Sequence, residues 1–208
     1  MELRMKRVLC LCVAGVLLAG SVARAEEFAP DNEGFIRNWL MLAPISIPET
    51  SGGEEIDKEQ IKGEGKLKPK EGDKATIDGK ELVWKKIAAK DYFFDVNDIL
   101  GAQTEDSVSY SVCYILADDE MKDVQLLMGS NDQGKAYLNE KEVVKFTSGR
   151  TLDKDQDVAE HLTLNKGANT LVFKVINEKN NWQGCIRFKK DGKELKNFKI
   201  SLVPPAAK

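Results

Sequence analysis

Histidine is almost missing: His161 is the only one in 208 residues. A Ser-His-Asp or Cys-His catalytic system would have to recruit that single imidazole, and an H-E-x-x-H metal helix cannot be built from it. Strand alternation aims His161 away from Leu162 and Leu164, toward solvent. Cysteine is also sparse, with four residues, and Cys10 and Cys12 fall within the first 25 positions. A C-x-x-C zinc half-site is absent. Ser130 lies in Met128-Gly129-Ser130-Asn131-Asp132, which is not a G-x-S-x-G nucleophile elbow. The only long apolar run, 8–18, is shorter than the ~20 residues that span a bilayer. Sustained 3.6-residue periodicity is lacking, which excludes a helical bundle.

The start of the chain reads as a targeting segment. Arg4, Lys6 and Arg7 precede the apolar run, and Ala23-Arg24-Ala25 supplies a small-residue cleavage site. Residues 1–25 are therefore expected to be a signal peptide cleaved near Ala25, leaving a secreted or periplasmic chain with no membrane span. Removing Glu2, Arg4, Lys6, Arg7 and Arg24 takes the formal charge from −3 to −6. An acidic chain lacks the long-range attraction that nucleic acid requires, so no nucleic-acid partner is expected. An oxidising compartment would permit a Cys113–Cys185 disulfide. The other reading is that each is a small buried hydrophobe in a strand.

What is abundant is period-two patterning. Val108, Tyr110, Val112, Tyr114 and Leu116 occupy every second position, as in a strand with one buried face. Residues 35–43 read as a strand stopped at Pro44, and Leu171, Phe173 and Val175 mark another. Turn chemistry recurs between such segments at 130–134, 139–141, 165–167 and 191–192. About ten short strands on this pattern predict an all-β fold, an antiparallel β-sandwich or jelly roll. The Lys/Glu/Gly-rich stretch 51–74 interrupts it, with one short helix predicted within 54–61. The domain is placed at 35–203, after a lead-in at 26–34 and before a tail at 204–208.

Of the three tryptophans, Trp39 reads as core, Trp84 as half-buried packing, and Trp182, after Asn180-Asn181, as the candidate exposed platform for a sugar ring. Asp132, Asp155 and Asp157 are the weak candidates for calcium, since hard cations take loop oxygens. The competing reading is that they simply form turns. No cofactor is expected, with calcium at these aspartates the one exception.

Several motifs resemble the galactose-binding-domain-like β-sandwich modules of secreted, planctomycete-type bacterial proteins. Phe35-Ile36-Arg37-Asn38-Trp39-Leu40-Met41-Leu42-Ala43-Pro44 is similar to their W-L-x-x-G-P opening, and 127–139 to their G-S-D-D-G-x-x-x-W-L-N-G run. Arg150, Asp157, Leu164-Asn165-Lys166-Gly167-Ala168-Asn169 and Trp182-Gln183-Gly184-Cys185-Ile186-Arg187 resemble the remaining blocks. The likeness covers 35–203. Glu140 replaces the usual turn glycine, Asn131 an acidic residue and Tyr137 a tryptophan. The resemblance implies a noncatalytic module binding carbohydrate or another secreted protein. Trp182, Tyr137, Asn131, Asp132 and Arg150 are its candidate ligand-binding residues. A protein-interaction or structural module of an extracellular or envelope assembly is the alternative, and a glycosidase using paired carboxylates a third reading.

Overall fold

A computed structural model describes residues 26–49 and 54–205. The signal-peptide expectation and residues 206–208 lie outside that range. The elements, in chain order, are β1 (Glu27–Phe28), β2 (Asn38–Ser46), α1 (Glu54–Asp57), β3 (Lys74–Ile77), β4 (Lys80–Val83), β5 (Lys85–Ala88), β6 (Phe94–Asp95) and α2 (Val96–Leu100). There follow β7 (Ser107–Ala117), β8 (Met121–Asn131), β9 (Gln133–Leu138), β10 (Lys141–Phe146), β11 (Asp157–Leu164), β12 (Gly167–Asn177), β13 (Gln183–Lys190), β14 (Lys193–Glu194) and β15 (Lys199–Ser201).

These form an all-β sandwich. The larger sheet runs β1-β15-β7-β12-β9-β10, with β2 also on β7 and β5 on β2; the smaller runs β11-β8-β13-β14, with β6 on β13. Every registered pairing is antiparallel. Alternation sends Trp39, Leu171, Phe173 and Val175 of the large sheet toward Phe94, Ile186 and Phe188 of the small one. Trp39 and Phe94 meet at 6.2 Å between centroids, and Phe94 and Phe173 at 5.7 Å in edge-to-face geometry. Phe188 packs on Phe198 in the same way at 5.7 Å.

Two expectations about strands are corrected. β2 continues through Pro44 to Ser46; its register against β7 shifts between Leu42 and Ile45, and that irregularity admits a residue without a ladder donor. β7 is buried on both faces rather than one. Its second face, carrying Tyr110 and Tyr114, is roofed by the polar stretch 54–73, which includes α1 and a 3-10 turn at Glu64–Lys66.

The roof is held by charge. Lys145, Lys135 and Lys174 lie in register across β10, β9 and β12, with Tyr110 next on β7. The Lys174 ammonium donates to the carbonyls of Ile56 (3.1 Å) and Lys58 (2.6 Å) and to Glu64 (3.0 Å). Glu64, fully buried, also accepts from the hydroxyls of Tyr110 and Tyr137. Asp57 takes Lys145 at 2.8 Å and Lys135 at 3.0 Å, and these two lysines hold its carboxyl below the ordinary range. The small sheet is roofed as well. The Asp155 carboxylate takes Arg187 Nε and Lys189 Nζ, each at 2.8 Å, so this loop crosses its outer face.

Candidate functional site

The residues singled out from the sequence gather, for the most part, into internal scaffolding. Trp182 is a correction: it is fully buried, and its indole N–H donates to the Val175 carbonyl at 3.2 Å. An amphipathic ring beside a polar loop turned inward because its one polar atom found a partner there. Trp39 and Trp84 are buried too, so the three tryptophans offer no sugar platform. Tyr137 is half-buried, with its hydroxyl on Glu64 at 2.6 Å.

Asn131, Asp132 and Arg150 do come together, at the β8–β9 junction. The Asp132 carboxylate accepts the backbone N–H of Glu178 (2.8 Å) and of Arg150 (3.2 Å). The Arg150 guanidinium donates to the Ser130 carbonyl (3.1 Å), the Ser130 hydroxyl (2.8 Å) and Asp157 Oδ1 (3.1 Å), and lies 3.7 Å from the Phe146 ring centre. These groups satisfy one another and leave Asn131 and Asp132 buried. The neighbouring glycine has a packing reason: a Cβ at Gly129 would run into the carbonyl oxygen of Asp153 and the Cys185 sulfur. Asn139 and Asn169 pair in the same spirit, amide to amide at 2.8 Å. The G-S-N-D, Arg150 and L-N-K-G-A-N blocks thus knit the sandwich.

The calcium candidates are likewise committed to protein cations or N–H groups. Asp155 holds Arg187 and Lys189, Asp157 holds Arg150, and Asp132 accepts backbone donors. Burial pushes the Asp155 carboxyl up, but Arg187 and Lys189 outweigh it and keep the acid below its usual value. Among the described residues no group of three or more His, Cys, Asp or Glu side chains is placed to hold a metal ion. Cys113 and Cys185 are unpaired and buried. Cys113 is registered with Leu171 inside the sandwich, whereas Cys185 sits with Gly129 on the outer side of the small sheet, so the disulfide expectation is corrected. His161 is exposed on a register shift of β11, 3.4 Å from Asp123.

An open concave surface lies elsewhere, where the chain crosses between sheets from β5 to β6. A cavity of about 280 Å³ is lined by Ala88, Ala89, Lys90, Asp91, Phe93, Phe94, Asp95, Asp98 and Ile99. A second, of about 290 Å³, is lined by Asp31, Asn32, Glu33, Arg37, Lys90, Asp91 and Tyr92. The crossing is braced rather than loose. Arg37 Nε and one terminal nitrogen donate to the Ala89 carbonyl at 2.9 and 2.7 Å, and Ala89 N–H returns to Arg37 at 2.8 Å. Tyr92 packs on Phe35 at 5.2 Å under the Lys154 ammonium, 4.5 Å from its ring. Asp95 caps α2 through Asp98 N–H at 3.2 Å and takes the Gln183 amide at 2.8 Å. Phe94 enters the core, which leaves Phe93 half-buried at the cavity wall.

Sequence reasoning missed this site because Tyr92-Phe93-Phe94 follows directly on the alternating stretch from Glu81 to Ile87. The usable signal was Asp91-Tyr92-Phe93-Phe94-Asp95, an aromatic triplet between acids that breaks period two. No protein-family model matches the chain, and no curated protein matches it significantly.

Proposed function

We propose that this chain is a noncatalytic binding module of the galactose-binding-like sandwich type, exported after loss of its leader, whose ligand is carbohydrate. The observation that supports it best is the first cavity: the half-buried Phe93 ring stands beside Asp91, Asp95 and Asp98 on a braced loop. An apolar ring face suits the C–H face of a sugar, and a few fixed polar groups suit its hydroxyls. Its volume, just under the ~300–1,000 Å³ of pockets for drug-sized ligands, fits a shallow contact with one or two units. Glycan-array or affinity-electrophoresis measurements on the chain from Glu26 test this. Retardation by at least one polysaccharide is expected, weakened about tenfold or more by Phe93→Ala at unchanged melting temperature. Absence of retardation by every polysaccharide, or an unaffected Phe93→Ala variant, refutes it.

A second reading, a protein-interaction module, rests on Val83 and Ile99, large apolar residues 36% and 40% exposed beside one another along a shallow groove with Met41 and Leu100. A stoichiometric protein partner lost on Ile99→Asp, with no glycan affinity, would favour it.

A further inference from the structure

We propose, resting on the carbohydrate-binding reading above, that the two cavities are adjoining subsites of one groove and that its ligand is an extended, uncharged oligosaccharide rather than a terminal sugar or a polyanion. Three observations carry this. The cavities, about 280 and 290 Å³, share Lys90 and Asp91 as a common wall, so a chain leaving one enters the other over that saddle. Each contributes one aromatic ring, Phe93 to the first and Tyr92 to the second, with ring centres 5.0 Å apart and planes at 74°. Phe93 is the stacking ring of the pair, since Tyr92 is already packed on Phe35 and lies under the Lys154 ammonium, and Tyr92 closes the wall of the second cavity.

The lining sets the charge of the ligand. Asp31, Glu33, Asp91, Asp95 and Asp98 outnumber Arg37 and Lys90 in the lining of the two cavities. Lys154 pairs with Glu33 at 2.6 Å, and Asp95 is taken up by the Asp98 N–H and the Gln183 amide, which leaves Asp31, Asp91 and Asp98 without a cation among the described residues. Arg37 is already committed to the Ala89 carbonyl. A uronate or sulfate would meet uncompensated carboxylates, whereas neutral hydroxyls can donate to them. The exposed Asn32 offers both a donor and an acceptor in the second cavity.

The test is titration calorimetry with gluco-, manno- and xylo-oligosaccharides, each from monosaccharide to hexasaccharide, and with oligogalacturonate. Affinity for one neutral series should rise about tenfold or more from the shortest binder to the hexasaccharide. Asn32→Trp, which fills the second cavity from an exposed position, should abolish that rise. Phe93→Ala should weaken every length. Equal affinity for all lengths, or an Asn32→Trp variant with the full rise, overturns the two-subsite groove while leaving the binding-module reading intact. Tighter binding of oligogalacturonate than of any neutral series overturns the assigned ligand class. Failure of every neutral and anionic probe overturns the binding-module reading and this proposal together.

Discussion

Replacing Glu64 by Gln tests whether charge holds the polar roof on the large sheet. The carboxylate is buried, 3.0 Å from the equally buried Lys174 ammonium and 3.9 Å from Lys135, and it takes two tyrosine hydroxyls. Gln preserves shape but removes the counter-charge. Lys174 is then left with two backbone carbonyls, while Lys135 still has Asp57 at 3.0 Å and Glu142 at 3.5 Å. Removing one partner of a buried ion pair costs about 3–5 kcal/mol, which for a chain of ~150–250 residues lowers the melting temperature by about 6–20 °C. Lys174→Met alone leaves Glu64 with two hydroxyl donors and should cost less. Glu64→Leu with Lys174→Met removes both charges and should recover most of the loss, since apolar replacement of a buried pair is often neutral. Urea unfolding of the four species ranks the losses, and proteolysis within 54–69 shows whether the roof lifts first. A Glu64→Gln variant melting within about 2 °C of the parent, or a double variant no better than Glu64→Gln, would refute the reasoning.

Other perturbations follow from the same geometry. Burial pushes the Cys185 thiol up to about 12 and Cys113 well above its ordinary value, so neither should react with a thiol reagent in the native chain from Glu26. Both should react after denaturation without reductant, and no reaction in denaturant would show a bridge. These thiols and Tyr110, whose pKa is raised by burial and then by Glu64, stay protonated in the folded chain after the unfolded chain has released its protons. Stability should therefore be fully present below about pH 9 and fall above it, by up to ~1.4 kcal/mol per pH unit for each group. Lys174, lowered chiefly by burial, acts with the opposite sign just below its unfolded value, but is one group against these three and Tyr92, Tyr114 and Tyr137, which burial raises as well. Urea midpoints between about pH 8 and about pH 11 test this, with a shallower decline expected in Tyr110→Phe. The turn joining β9 to β10 has positive φ at Asn139 (50°) and at Glu140 (72°), the two-residue hairpin that usually takes Asn-Gly. Glu140→Gly should stabilise by about 0.5–1.5 kcal/mol, less the small worth of the exposed Lys68–Glu140 pair, and a lower urea midpoint would contradict it.

Much of the sandwich was legible because period two is a strong signal where one sheet face meets core and the other water. Val108 to Leu116 shows its limit: the alternation is correct, yet both faces are buried. Its cover, 54–73, is rich in Lys, Glu and Gly and looks like a solvated loop. What makes it a cover is long-range pairing, Lys174 with the Ile56 and Lys58 carbonyls and Tyr114 with the Pro69 carbonyl at 2.6 Å, which no local pattern announces. The same blindness misplaced Trp182. A polar flank argued for exposure, but the indole N–H finds its acceptor seven positions earlier, on β12. Asp132 and Arg150 share one hydrogen-bonded cluster, with Asn131 buried next to Asp132 in the chain. Ser130, Asp157 and the 178 amide take up the hydrogen bonds of Arg150 and Asp132, which makes these two residues scaffold.

That accounting also narrows where a ligand can act. The 54–73 stretch roofs one outer face, with Glu64 and Asp57 spent on lysines, and Asp155 on the other face is spent on Arg187 and Lys189. A site on either face would first have to break these pairs, and breaking one buried pair already costs about 3–5 kcal/mol, comparable to a millimolar affinity of about 4 kcal/mol. The β5–β6 crossing carries no such cost. Its cavity walls are held by backbone bonds to Arg37 and by the Phe35 contact behind Tyr92, while Phe93, Asp98 and Asn32 remain at the surface. A weak, hydroxyl-rich ligand can be held there with little reorganisation, because the ordering of the loop is already supplied by the fold.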